Sequence, residues 1–115
     1  MGVIGTSKKE DERRVPIHPE HLKRLPEGLR KKLIFEKGYG IPFNVSDEEI
    51  SSQTGGMVSR EVLLSDIGNV IIAKPVASDL RTLKLGGLIW GYPHCAQQKE
   101  ITQIAIERKL TLIAF

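Results

Sequence analysis

The sequence predicts an α/β domain built on a mostly parallel, five-stranded sheet flanked by helices. Short apolar or β-branched runs recur along the chain, separated by stretches with helical spacing or helix-capping residues. Proline and glycine punctuate the ends of those runs, as at Lys74-Pro75, Gly86-Gly87 and Tyr92-Pro93. With 115 residues, 40% hydrophobic and 27% charged, the chain has enough apolar material for one core and the length of one domain, taken as residues 1–115.

Val3 to Thr6 forms the first strand and runs into a charged loop, SKKEDERR, that continues through Val15 and Pro16 to His18. Pro19 suits the first turn of a helix reaching about Leu25, with Leu22 and Leu25 on its inner side, and Pro26 interrupts it. Glu27 to Lys32 reads as a short helical piece before a second strand, Leu33, Ile34 and Phe35, after which Gly38 and Gly40 mark a turn. Ser46-Asp47-Glu48-Glu49 is a helix start, because the serine can accept a free backbone N–H and the acids suit the positive end of the helix dipole. Gly55-Gly56 stops that helix, and Ser59 caps another carrying Val62, Leu63 and Leu64.

Asn69 to Lys74, NVIIAK, is the clearest strand, with β-branched residues ahead of a polar tip and Pro75. Leu80 and Leu83 fit a brief helix. Leu88, Ile89 and Trp90 then form a core strand that ends at Pro93, so that His94 stands where the chain leaves the sheet. Gln97 to Lys109 carries Ile101, Ile104 and Ala105 at helical spacing, and Leu110 to Ala114 starts a fifth strand. Phe115 closes an apolar strand without a polar cap, which leads us to expect that more protein follows.

Several function classes find no support. The formal charge is only +3, lysines and arginines alternate with acids, and aromatics are scarce, so a nucleic-acid partner is not expected. Cys95 is the single cysteine, which rules out an intramolecular disulfide and two-cysteine metal motifs and fits a reducing, cytoplasmic setting. No apolar run approaches a membrane-spanning length and no export signal opens the chain, so neither insertion nor export is expected. His18 and His21 lack a third metal ligand and read as surface or capping residues. Cys95 and His94 are neighbours in an extended segment and point to opposite faces, which argues against a Cys–His pair. A dinucleotide fingerprint is missing as well, since Phe43 stands where Gly38-Tyr39-Gly40 would need its last glycine, and Gly86-Gly87 precedes a strand. The expected sheet is therefore Rossmann- or flavodoxin-like without a nucleotide site of its own.

Three positions could carry chemistry if they meet. Arg14 lies in the loop after the first strand, Lys74 at the end of NVIIA and His94 at the end of GLIWGYP, and a parallel sheet would bring all three to one edge. Taken singly, each has a plainer reading: a solvated loop arginine, a strand-end lysine, a structural histidine. Taken together, a guanidinium can grip a carboxylate with two parallel hydrogen bonds, an ammonium can polarise a carbonyl oxygen and an imidazole can move protons near neutral pH. That set suits a 2-oxo or 2-amino acid.

The order and spacing of these motifs resemble the N-terminal domain of the alanine dehydrogenase and pyridine nucleotide transhydrogenase family, whose relatives include saccharopine dehydrogenase and carboxyethylornithine synthase. Glu12-Arg13-Arg14-Val15 with Pro19 looks like the family's E-x-R-V…P opening, and Glu36-Lys37-Gly38-Tyr39-Gly40 like its E-K-G-x-G turn. Ser46-Asp47-Glu48-Glu49 looks like its acidic helix start, Lys74-Pro75 and His94 fall at its two later strand ends, and TLIAF resembles its exit strand.

The resemblance implies that Arg14 binds the substrate carboxylate, Lys74 the substrate oxygen, and that His94 is proton donor and acceptor in hydride transfer to NAD or NADP. It further implies that a Rossmann-type domain beyond Phe115 holds the nucleotide, that the complete protein is a homo-oligomer, and that this piece alone is inactive. Two departures bear on the substrate. Ile72-Ala73-Lys74-Pro75 lacks the first lysine and the glutamate of the K-x-K-E-P usual in alanine dehydrogenases, and Tyr92-Pro93-His94-Cys95 leans toward the H-C of saccharopine dehydrogenases. A small 2-amino acid is favoured by the opening and the turn; a saccharopine- or opine-type substrate, or a stand-alone binding module without catalysis, is the alternative.

Overall fold

The computed structural model describes residues 1–6, 15–91 and 99–114. All strand pairings are parallel, in a six-stranded sheet of order β3-β2-β1-β4-β5-β6. The strands are β1 (Gly2–Ile4), β2 (Ile34–Glu36), β3 (Met57–Val58), β4 (Asn69–Ile72), β5 (Leu88–Gly91) and β6 (Thr111–Ala114). The helices are α1 (Glu27–Arg30), α2 (Asp47–Gln53), α3 (Arg60–Val62), α4 (Ala77–Thr82) and α5 (Lys99–Glu107). The α/β class and the parallel sheet are as expected, and the strand count is one higher.

The additional strand is β3. Two residues are too few to show alternation in a sequence, and Gly55-Gly56 ahead of them has the look of a plain turn. The strand exists because β2 offers a free edge: Gly55 N–H donates to Leu33 O (2.8 Å), Phe35 N–H to Gly56 O (3.0 Å) and Lys37 N–H to Val58 O (2.9 Å). A second difference lies at Pro19–Arg24, which is a 3-10 helix. Pro26 pushes Leu25 into extended geometry (φ −84°, ψ 143°), and Leu25 N–H closes an i→i+3 bond to Leu22 O before an α-turn can form.

Alternation along the strands sorts the core into two layers. Ile4, Val70, Ile72 and Ile89 face one side, where Leu63 and Leu64 of the π-helical turn after α3, Leu80 of α4, and Ile101 and Ile104 of α5 cover them. Val3, Phe35 and Ile71 face the other, beneath Leu22 of the 3-10 helix, Leu33, Tyr39 and Ile50 of α2. On this second side Ile71, Trp90 and Ile113 lie in one register row, and their exposure rises from 8% through 39% to 41%. Among the described residues the covering layer thus stops over β4, leaving an apolar recess of about 240 Å³ bounded by Leu25, Leu29, Ile71 and Trp90.

Gly91 marks the close approach of two strand ends. A Cβ built there would stand 1.9 Å from the carbonyl oxygen of Ile72, so only glycine lets β5 pair with β4 to its last residue.

Candidate functional site

The strand order reverses between β1 and β4: the chain proceeds from β1 through β2 to β3 on one side, and from β4 through β5 to β6 on the other. In open α/β sheets the crevice at the carboxyl edge of such a switch point is where ligands bind. Ile4, Ile72 and Gly91 lie side by side in the pairing register, so the carboxyl ends of β1, β4 and β5 are adjacent.

Lys74 follows β4 by two residues, is partly buried and is held by an interaction of its own. Arg14 and His94, together with Cys95, lie outside the described residues. What the structure describes is the place from which their segments depart. Thr6, eight residues before Arg14, follows β1, and Gly91, three residues before His94, ends β5, with the Lys74 strand between them. Tyr39 holds the chain at Ile17, three residues beyond Arg14. The Tyr39 hydroxyl donates to Ile17 O (2.7 Å) and accepts from Ile17 N–H (3.0 Å), while its ring packs edge-on against Phe35 with centroids 4.8 Å apart. Burial, reinforced by the nearby Glu36 charge and opposed by the Ile17 bond, raises the Tyr39 phenol well above its ordinary value, so it stays a neutral donor. Gly38, at φ 84°, permits the tight turn that sets Tyr39 in place, and Asp47 accepts its N–H at 2.9 Å.

A polar network lines the floor of this edge. Glu36, the last residue of β2 and buried, accepts at Oε1 from the N–H groups of Gly5 (3.1 Å) and Thr6 (3.0 Å), and at Oε2 from the Thr6 hydroxyl (2.8 Å). Arg60, the first residue of α3, donates through Nε to Thr6 Oγ1 (3.2 Å) and through Nη1 to Asp79 Oδ1 (2.6 Å). Asp79 is fully buried in the first turn of α4, and its other oxygen accepts from Val76 N–H (2.9 Å), two residues beyond Lys74. The sequence reading did not single out Arg60 or Asp79, and it took Glu36 only as part of a turn motif. Only the Asp79 bond to Val76 N–H is local; the contacts that join these residues into a network span 19 to 54 positions, which no sequence pattern signals.

The network decides a question about nucleotides. In a dinucleotide-binding sheet, free backbone N–H groups just after β1 hold the pyrophosphate. Here a carboxylate already occupies the N–H groups of Gly5 and Thr6, and a phosphate brought to the same place would meet a like charge. The first described helical turn after β1 begins only at Pro19. Among the described residues, Gly5 and Thr6 therefore offer a phosphate no free N–H group. A recess of about 520 Å³ opens two strands away, at the β3 margin, but Asp47 and Glu48 set against Lys37 make it a poor receptor for a carboxylate.

Order and register define an α/β domain on a parallel sheet, with the N–H groups of Gly5 and Thr6 taken up by the Glu36 carboxylate. The family profile "Alanine dehydrogenase/PNT, N-terminal domain" matches residues 3–115, and the chain belongs to that family. It is 28% identical over 117 residues to an alanine dehydrogenase of Methanococcus maripaludis, covering 98% of this chain and 31% of that protein. Among solved structures, a transhydrogenase from Sinorhizobium meliloti superposes with a TM-score of 0.74 at 18% identity, over 99% of this chain and 34% of that one. An L-alanine dehydrogenase superposes with a TM-score of 0.72 at 22% identity, over 99% and 32% respectively, and the two likenesses establish the shared fold. The chain spans about a third of the length of each of these relatives.

Proposed function

We propose that this domain is the substrate-binding part of an NAD(P)-dependent amino-acid dehydrogenase that oxidatively deaminates a small 2-amino acid to its 2-oxo acid. The observation that carries the reading is the adjacency of the carboxyl ends of β1, β4 and β5, with Lys74 following the central one. Family membership and the alanine dehydrogenase among the relatives support it. Arg14 holds the substrate carboxylate with its two-pronged guanidinium, Lys74 hydrogen-bonds the oxygen at C2, and His94 gives and takes the proton. The nucleotide, NAD or NADP, supplies the hydride acceptor and binds to a domain other than this one, in keeping with the Glu36 carboxylate on the β1 N–H groups.

Turnover by the complete protein tests the reading. Pyruvate with ammonia and NADH or NADPH should be reduced, and the same assay with larger 2-oxo acids and an amino acid as the amine donor separates the small substrate from a saccharopine- or opine-type one. His94→Ala should remove most turnover and leave the melting temperature near that of the parent, because a side chain past the strand end adds little to the core. Arg14→Lys should mainly raise the Michaelis constant, since an ammonium cannot reproduce the paired contact. A large drop in melting temperature for His94→Ala with turnover per folded molecule intact, or an unchanged Michaelis constant for Arg14→Lys, would count against these roles.

A further inference from the structure

We propose that Arg60 is a positioning residue that locks the two walls of the crevice to each other, and so sets where Lys74 stands; the role rests on the dehydrogenase reading above. Arg60 bonds to both walls: its Nε reaches Thr6, which begins the segment leading to Arg14, and its Nη1 reaches Asp79, which holds the turn after Lys74. Each bond has a second anchor. Thr6 donates to Glu36 at the end of β2, and Asp79 takes the free N–H of Val76. Glu36 at the end of β2, Thr6 after β1 and Asp79 of α4 therefore meet around one guanidinium at the start of α3.

The chemistry of the fork matters here. Its planar nitrogens are at fixed angles, so fixing Nε on Thr6 also fixes the direction in which Nη1 meets Asp79. An ammonium has one nitrogen and cannot make both contacts in that geometry. Burial gives the link its strength, because Asp79 has no exposed surface and the Arg60 side chain only 16%. An ion pair shielded in this way is poorly screened and holds its geometry more firmly than a solvated one. Arg60 itself does not touch the substrate in this scheme; it acts through Val76 and Thr6, on either side of the reacting centre.

The test uses the complete protein, with two readouts: amino-acid turnover, and the rate at which an acetylating reagent modifies Lys74, followed by mass spectrometry against Lys84 as internal reference. Arg60→Lys keeps a cation beside Asp79 but loses the fork. Arg60→Met with Asp79→Asn removes both charges while leaving an acceptor for Val76, so it folds without an orphaned carboxylate. Both should change the Lys74 rate several-fold relative to Lys84 and lower kcat by about 10- to 100-fold, as displacement of a reacting group from a remote site does. A core substitution in the opposite layer, Ile50→Ala, should leave the Lys74-to-Lys84 ratio unchanged. An unchanged ratio in folded Arg60 variants would overturn the proposal and make the network a structural staple. If the parent protein turned over no amino acid, the dehydrogenase reading would fail by itself, and the acetylation ratio would still decide whether Arg60 places Lys74.

Discussion

Tyr39 shows how one side chain links stability to the proposed site. It is buried against Phe35 and Gly5 and holds the backbone of Ile17, three residues beyond Arg14, by two hydrogen bonds. Because its phenol is raised in the fold, the native state keeps the proton above the pH, about 10, at which the unfolded chain loses it. The unfolded state then binds fewer protons than the native one, so stability is flat below about pH 10 on this account and falls above it, by up to ~1.4 kcal/mol per pH unit. Tyr39→Phe should lose about 1–3 kcal/mol at pH 7, from the two abandoned bonds, and show a shallower decline above pH 10 in urea titrations at several pH values. Parallel declines in parent and variant would contradict the assignment. The linking contacts of Tyr39, Glu36, Arg60 and Asp79 were illegible in the sequence for one reason: apart from the local bond of Asp79 to Val76, they join positions 19 to 54 apart. The strand end ahead of Lys74 was legible because a polar residue between a β-branched run and a proline is a local signal.

At the level of elements, signals confined to one turn of chain were readable. Ser46 and Ser59 do cap α2 and α3, accepting from Glu49 N–H (3.2 Å) and Val62 N–H (3.3 Å), and His18 accepts from Glu20 N–H as the cap of the 3-10 helix. β3 was not readable, because its existence depends on the free edge of β2 and not on the two residues that form it. The end of β5 is similar: Gly91 sits in an ordinary-looking GLIWG run, yet the carbonyl of Ile72 stands where its Cβ would go. Gly91→Ala should force β4 and β5 apart at the carboxyl edge and cost about 1–3 kcal/mol in chemical denaturation. It should also reduce turnover per folded molecule, because Lys74 and His94 flank that pairing in sequence. A variant with parental stability would mean the strands separate freely there.

For the whole molecule, the α/β class, the parallel sheet and most helices followed from alternation, capping and proline placement, and the strand order followed from none of them. Order matters most to the proposed function, since 3-2-1-4-5-6 places the reversal between β1 and β4 and brings the Lys74 strand beside the two strands that Arg14 and His94 follow in sequence. On the proposed reading the nucleotide binds elsewhere, and the Glu36 carboxylate at the end of β2 takes the N–H groups of Gly5 and Thr6 that an anion after β1 would need.

A crystal structure of the complete protein with pyruvate bound tests the shared edge most directly. The ligand should lie across the β1/β4 crevice, its carboxylate paired with the Arg14 guanidinium and its 2-oxo oxygen within hydrogen-bonding distance of Lys74 Nζ and the His94 imidazole. Pyruvate seated elsewhere, or those three side chains opening onto different faces of the sheet, would contradict it.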